Sequence, residues 1–267
     1  MPTANNREVR IHYEVEGRGP PLVLQHGFTR SLQDWRDFGY VADLSRDHQL
    51  ILIDARGHGL SDKPHSFDDY WPELLVGDLV AVLDDLGVAR TDYWGYSLGA
   101  VVGWQAIRYA PTRLRALVLG GAGANMDTPA SKKVLSHLRG IVEAGLEETM
   151  ELVGTIKGGM FGPMFLQTEA LTYDLANDRE ALLACLLAAE QWPGLDDVLA
   201  AATMPSLVYA GEADPRYADA VDSARRMPNA TFLALPGLSH YQTIMRSNLV
   251  LPPVRAFLAA LDRAAAA

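Results

Sequence analysis

Cysteine is almost missing from this chain of 267 residues, where only Cys185 occurs. A single thiol excludes an internal disulfide and a cysteine-built zinc site, and nothing else calls for an oxidising compartment. Cys185 lies in the apolar run Leu182-Leu183-Ala184-Cys185-Leu186-Leu187, where a small core residue is expected and not a nucleophile. Positive charge is also scarce. The chain has 23 Lys and Arg against 33 Asp and Glu, a net charge of −10, which opposes nucleic acid or an anionic membrane as the main partner. A small-molecule substrate of apolar or weakly polar character is expected instead. No apolar run approaches the roughly 20 residues of a membrane-spanning helix. The opening Met1 to Arg10 lacks the apolar segment of a secretory signal, so a cytoplasmic location is expected. There is no internal repeat, and composition leaves the oligomeric state open.

What the chain does have is a stretch around which the rest is organised, Thr91 to Pro111. Thr91 to Tyr96 is aromatic and strand-like, Ala100 to Tyr109 carries apolar residues at helical spacing, and Pro111 stops the helix. Between them stands Gly95-Tyr96-Ser97-Leu98-Gly99. A serine at the apex of a sharp strand-to-helix turn needs strained, positive-φ backbone, and glycines two positions away on either side relieve the crowding. With 23 glycines and eleven serines in the chain, chance alone would supply roughly 0.08 such motifs. The surrounding strand, turn and helix, in that order, give the motif its weight.

The flanking chain alternates strand and helix. Strands are expected at Glu8–Val15, Leu22–Gln25, His48–Asp54, Leu114–Leu119, Pro205–Gly211 and Thr231–Leu235, with helices at Leu32–Leu44, Phe67–Leu86 and Tyr217–Arg226. A last helix, Tyr241 to Leu261, should bend or split at Pro252-Pro253. From about residue 125 to residue 198 the alternation gives way to helical segments, Ser131–Ala144, Glu147–Val153 and Asp178–Glu190, as an inserted cap would require. Within that stretch the run from Gly158 to Phe165, apolar and rich in breakers, suits a pocket wall.

The serine elbow, the early His26-Gly27 after an apolar strand, the stretch from Asp54 to Ser61, and the late Asp214 and His240 together resemble an α/β-hydrolase. That resemblance implies an α/β fold with a mostly parallel sheet of about eight strands. Residues 1–124 and 199–267 would form the core, with 125–198 a helical cap. It also implies that backbone N–H groups of Phe28 and Leu98 form an oxyanion hole. Asp214 and His240 follow two late strands, at the sheet edge where open α/β folds bind ligands, and the order serine, acid, histidine matches the fold's triad. His240 then serves as the base for Ser97, and Asp214 holds its tautomer. Asp127 and Glu212 are rival acids. His26, and the group Asp54, Arg56, His58, Ser61 and Asp62, are expected to brace loops. His12, His48, His65 and His137 are expected at the surface.

The resulting expectation is a hydrolase of small carboxylic esters, lactones or thioesters, without cofactor or metal. Two alternatives are a carbon–carbon bond hydrolase of a vinylogous diketone and a low-turnover ligand-binding protein on the same fold. Serine in place of aspartate at the elbow opposes epoxide-opening or dehalogenase chemistry, which in related enzymes passes through an aspartyl ester.

Overall fold

The structure, a computed structural model, describes residues 1–155 and 177–266; the run from Gly158 to Phe165 lies outside the described residues. Eight strands form one sheet: β1 (Thr3–Asn6), β2 (Val9–Glu16), β3 (Pro21–Gln25), β4 (Gln49–Ile53), β5 (Thr91–Tyr96), β6 (Leu114–Gly120), β7 (Ser206–Gly211) and β8 (Ala230–Leu235). Their spatial order is β1-β2-β4-β3-β5-β6-β7-β8. All pairings from β4 onward are parallel, while β2 runs antiparallel to both β1 and β4. This is the mostly parallel eight-stranded α/β sheet expected from the sequence.

Central strands of such a sheet are covered on both faces, so they read as continuous apolar runs whose successive side chains enter different cores. Leu22, Leu24 and Trp94 pack into one core with Trp35, Val250, Val254 and Leu258. Val23 and Tyr93 face the other, with Val101, Trp104 and Leu79. Buried polar tips find partners: Tyr93 Oη donates to Gln25 Oε1 at 2.6 Å, and Trp94 Nε1 donates to Tyr209 Oη at 3.0 Å. Helices α3 (Pro72–Asp85) and α4 (Leu98–Tyr109) cover the second core's face.

Some local features differ from expectation. Phe67–Leu86, expected as one helix, opens as a 3-10 turn (Phe67–Tyr70), breaks at the extended Trp71 and is α-helical only over α3. The N-terminal hairpin β1–β2 turns at Arg7 and Glu8, with φ of 49° and 71°, without the Asn-Gly or Gly residues that usually announce such a turn. Expected as one helix, Leu32–Leu44 is two, α1 (Gln33–Asp37) and α2 (Tyr40–Leu44), separated by Gly39 at φ 83°. At the C-terminus the break falls at Arg246, between α9 (His240–Met245) and α10 (Ser247–Ala266), and α10 runs unbroken through Pro252-Pro253. Two interior prolines cost about 3 kcal/mol each. Val250, Val254 and Leu258 are fully buried on one face of this helix, at about 1.5–3 kcal/mol each, which offsets that cost. The carbonyls deprived of partners belong to Asn248 and Leu249, which are exposed.

Between β6 and β7 the described chain is helical: α5 (Pro129–Thr155), α6 (Arg179–Ala189) and α7 (Asp196–Leu199). The expected helices Ser131–Ala144 and Glu147–Val153 are one continuous α5. After β7 comes α8 (Tyr217–Arg226).

Candidate active site

Ser97 sits at the junction of β5 and α4 with φ 54° and ψ −111°, the strained apex predicted by the motif. The reason for its glycine neighbours is measurable. A Cβ on Gly95 would lie 2.2 Å from the Gly99 carbonyl oxygen, and one on Gly99 would lie 2.2 Å from the Gln25 carbonyl oxygen. The turn can therefore close, and α4 can approach the end of β3, only without side chains at both positions. Ser97 N–H donates to Gly120 O at 2.8 Å and Gly99 N–H to His26 O at 3.0 Å, pinning the elbow to the two neighbouring strand ends.

Asp214 and His240 arrive from the ends of β7 and β8. His240 Nδ1–H donates to Asp214 Oδ2 at 2.6 Å, and Nε2 lies 3.0 Å from Ser97 Oγ. The second Asp214 oxygen accepts the Arg216 backbone N–H at 2.9 Å. Burial alone would push the Asp214 carboxyl up. The positive charge and hydrogen bond of His240, with the Arg216 N–H and guanidinium, outweigh it and hold the group below its ordinary value. Tyr96 Oη donates to the His240 carbonyl, and its ring lies 5.3 Å from the imidazole. The rival acids are elsewhere: Asp127 and Glu212 are exposed, and Glu212 accepts a long bond from Gly237 N–H at 3.4 Å.

Phe28 and Leu98 flank the serine, and among the described residues neither backbone N–H donates to another protein group. The loop bearing Phe28 is braced from behind. His26 Nε2 accepts the Ala55 N–H at 3.0 Å, which requires the proton on Nδ1, and Nδ1–H then donates to Gly27 O at 2.7 Å. With Nε2 accepting a hydrogen bond the ring is a neutral strut, and burial lowers its pKa in the same sense. Thr29 is held at φ 64°, an uncommon conformation for a β-branched residue, and Asn177 Nδ2 donates to its carbonyl at 2.6 Å.

The cluster after β4 does structural work, as expected. Asp54 accepts the Leu32 N–H at 2.8 Å and the Leu60 N–H at 2.9 Å, while Ser61 Oγ donates to the Asp54 carbonyl at 2.7 Å. Arg56 Nε donates to Asp78 at 2.7 Å, both buried, and Asp62 pairs with Arg10 at 2.8 Å. His58 is sealed behind His26 and Phe28, and burial pushes its pKa down to about 3. The surface assignment of His12 and His48 is corrected: both are buried, and His12 Nδ1 lies 2.9 Å from Asp54 Oδ2. An alternating edge strand gave no sign that Asp54 would reach it.

A cavity of about 500 Å³ opens over Ser97. Phe28, Tyr96, Leu98 and Tyr241 line it near the serine, and Leu135, Leu138, Leu182 and Leu186 line it from α5 and α6. Cys185 also borders it, with its thiol pushed up to about 12 by burial, far from the range of a reactive thiolate. Among the lining residues without a sequence signal is Arg216. An arginine two positions after an acid reads as a surface charge, yet it is only 5% exposed.

Comparison with known proteins fits this architecture. The first curated relatives are matched over only part of their length. An epoxide hydrolase of Siraitia grosvenorii, Epoxide hydrolase 3, is 34% identical over 117 residues, 43% of this chain and 36% of that protein. A thermophilic esterase of Thermogutta terrifontis superposes with a TM-score of 0.80 at 22% identity, covering 97% of this chain and 98% of the other. Est816, described as an N-acyl homoserine lactone degrading enzyme, superposes with a TM-score of 0.75 at 25% identity, covering 96% and 100%. Among the described residues no helix is long and apolar enough to cross a membrane. The family profile for the alpha/beta hydrolase fold matches residues 20–242, and with the sheet order and the serine elbow it establishes that the chain belongs to the alpha/beta hydrolase fold family.

Proposed function

We propose that this protein is a serine hydrolase that cleaves a small carboxylic ester, lactone or thioester through an acyl-enzyme on Ser97. The carrying observation is the pair of contacts on His240, 3.0 Å to Ser97 Oγ and 2.6 Å to Asp214 Oδ2. A serine hydroxyl is a weak nucleophile at neutral pH, so it must lose its proton to a base as it attacks. Ser97 Oγ bonds to the substrate carbonyl carbon while His240 Nε2 takes the proton. Asp214 keeps the other ring proton on Nδ1 and stabilises the imidazolium. The tetrahedral oxygen receives the Phe28 and Leu98 N–H groups, each such donor contributing about 2.7–4 kcal/mol in other serine hydrolases. The imidazolium returns its proton to the leaving alcohol or thiol, and water then releases the acid by the same path.

The helical stretch 125–198 acts in this reading as a cap over an apolar acyl pocket, since side chains of α5 and α6 form much of the cavity lining. The likeness to an epoxide hydrolase is read as kinship of fold. Attack of Ser97 Oγ on an epoxide carbon would leave an ether, which offers water no carbonyl and ends turnover, whereas an acyl ester can be hydrolysed. The similarity to a lactone-degrading enzyme favours lactones among the candidate substrates.

The test is intact-protein mass after incubation with a fluorophosphonate, with peptide mapping, beside initial rates on p-nitrophenyl acetate, butyrate and octanoate. A single adduct on Ser97 with turnover is expected. An adduct elsewhere, or neither adduct nor turnover, refutes the proposal.

A further inference from the structure

Arg216 is a charged side chain in the wall of a mainly apolar cavity, and most of its hydrogen-bonding capacity is unused. The residue is 5% exposed and lines the cavity over Ser97. Its Nη2 donates to the Gly123 carbonyl at 3.2 Å and touches Met126 Sδ at 3.4 Å. Among the described residues Nε has no acceptor, and no protein group accepts from Nη1 either. A guanidinium carries N–H donors on all three nitrogens and stays charged even when buried. Leaving donors unmet inside a protein costs free energy that the fold does not recover.

The nearby carboxylates do not resolve this. Asp214 is bound by the His240 imidazole and by the Arg216 backbone N–H. Asp219 accepts Thr128 Oγ1 at 2.6 Å and Ser131 Oγ at 3.2 Å. Neither takes a side-chain bond from Arg216, so the guanidinium has charge near it but no fork-to-carboxylate contact. Two further cations among the described residues border the same cavity: Arg30 is paired with Asp34 through two 2.8 Å bonds, and Arg179 Nη2 donates to the Glu143 carbonyl.

We propose that Arg216 is a specificity-determining residue whose free guanidinium donors bind a carboxylate carried by the substrate, so that the natural substrate is an acidic ester or lactone whose remaining bulk is apolar. This rests on the serine-hydrolase reading above. It differs from a purely electrostatic role, in which the charge would help Asp214 and His240 alike for every substrate.

Two matched substrate pairs test it. The first carries the carboxylate on the acyl side, mono-p-nitrophenyl glutarate against p-nitrophenyl valerate. The second carries it on the leaving side, 3-carboxyphenyl butyrate against phenyl butyrate. In the wild type, kcat/KM for the acidic member of at least one pair is expected to exceed the neutral member by about tenfold or more, the range of a charge-assisted bond. Arg216→Met should remove that ratio and Arg216→Lys should restore part of it, whatever happens to the neutral rate in either variant. Taking the ratio within one protein cancels any general damage to the triad. Equal or poorer use of the acidic member in both pairs by the wild type, with the neutral esters turned over, overturns the proposal and leaves the hydrolase reading standing. So does a ratio unchanged in Arg216→Met. Failure of fluorophosphonate labelling together with failure on the neutral esters overturns both.

Discussion

Replacing Gly99 by alanine asks whether the close approach of α4 to the end of β3 positions the reacting groups. The added Cβ would lie 2.2 Å from Gln25 O and 2.9 Å from His26 O, more than an ångström inside ordinary van der Waals contact for the first. Both neighbours are backbone, so no rotamer change relieves the overlap. Either α4 retreats with Ser97 and Leu98, or the Gln25–His26 segment retreats with Phe28. Overpacking of this kind costs about 1–3 kcal/mol, and in a protein near this size each kcal/mol lowers Tm by about 2–4 °C. A displacement of about 1 Å between reacting groups costs on the order of 10²-fold in rate. The expected variant is therefore folded, melts several degrees lower, and has kcat on p-nitrophenyl butyrate reduced far more than its stability loss would suggest. Gly140→Ala is the control. It sits in α5 with nothing within 4 Å of its would-be Cβ, and should gain about 0.5–1 kcal/mol. A Gly99→Ala protein with wild-type Tm and kcat would refute the reasoning that this contact sets the site.

Asp214→Asn should keep the fold while kcat falls by about 10⁴, as expected for loss of the tautomer-fixing carboxylate; a loss under tenfold would assign the role to another acid. Asp78→Ala leaves the buried Arg56 guanidinium without its carboxylate, and urea unfolding should show a loss of about 3–5 kcal/mol, whereas a loss below 1 kcal/mol would show that the pair is not sealed. His65 faces Asp178 and Glu180, each at 3.0 Å, and the hydrogen bond its ring N–H donates to Asp178 raises its pKa above 6.5. A raised folded value means its contribution is complete below 6.5 and fades as pH climbs through the folded pKa. The Tm of wild type should exceed that of His65→Gln at about pH 5.5 and match it at about pH 9, and the opposite trend would reverse the assignment.

How much of this could be read from residues alone depends on where the information sits. The elbow was legible because a positive φ at Ser97 and two backbone contacts of 2.2 Å impose glycine at positions 95 and 99, leaving a local motif. The sheet was legible because doubly covered strands such as β3 and β5 are apolar without interruption. Arg7-Glu8 hid a hairpin because its positive φ values are imposed by the pairing of β1 with β2 and not by the turn residues. Pro252-Pro253 misled because helix propensity counts the lost N–H groups but not the buried stripe of Val250, Val254 and Leu258. The burial of Arg216 and of His12 leaves no local trace for a shared reason. Their burial depends on partners distant in the chain, Gly123 for the first and Asp54 for the second, and no local pattern carries that.

The hydrogen bond between Ser97 and His240 joins residues 143 positions apart, and this separation has a consequence for the order of events in folding. Closing so long a loop is among the slow steps of assembly, and a chain emerging from synthesis presents its elbow well before β8 exists. A nascent or half-folded molecule thus carries an unactivated alcohol at position 97, and reactivity toward a fluorophosphonate should rise only when the last strand docks. Under the proposed serine-hydrolase reading, Ser97 would then act as a built-in reporter of the final stage of folding, one that pulse labelling during refolding can time.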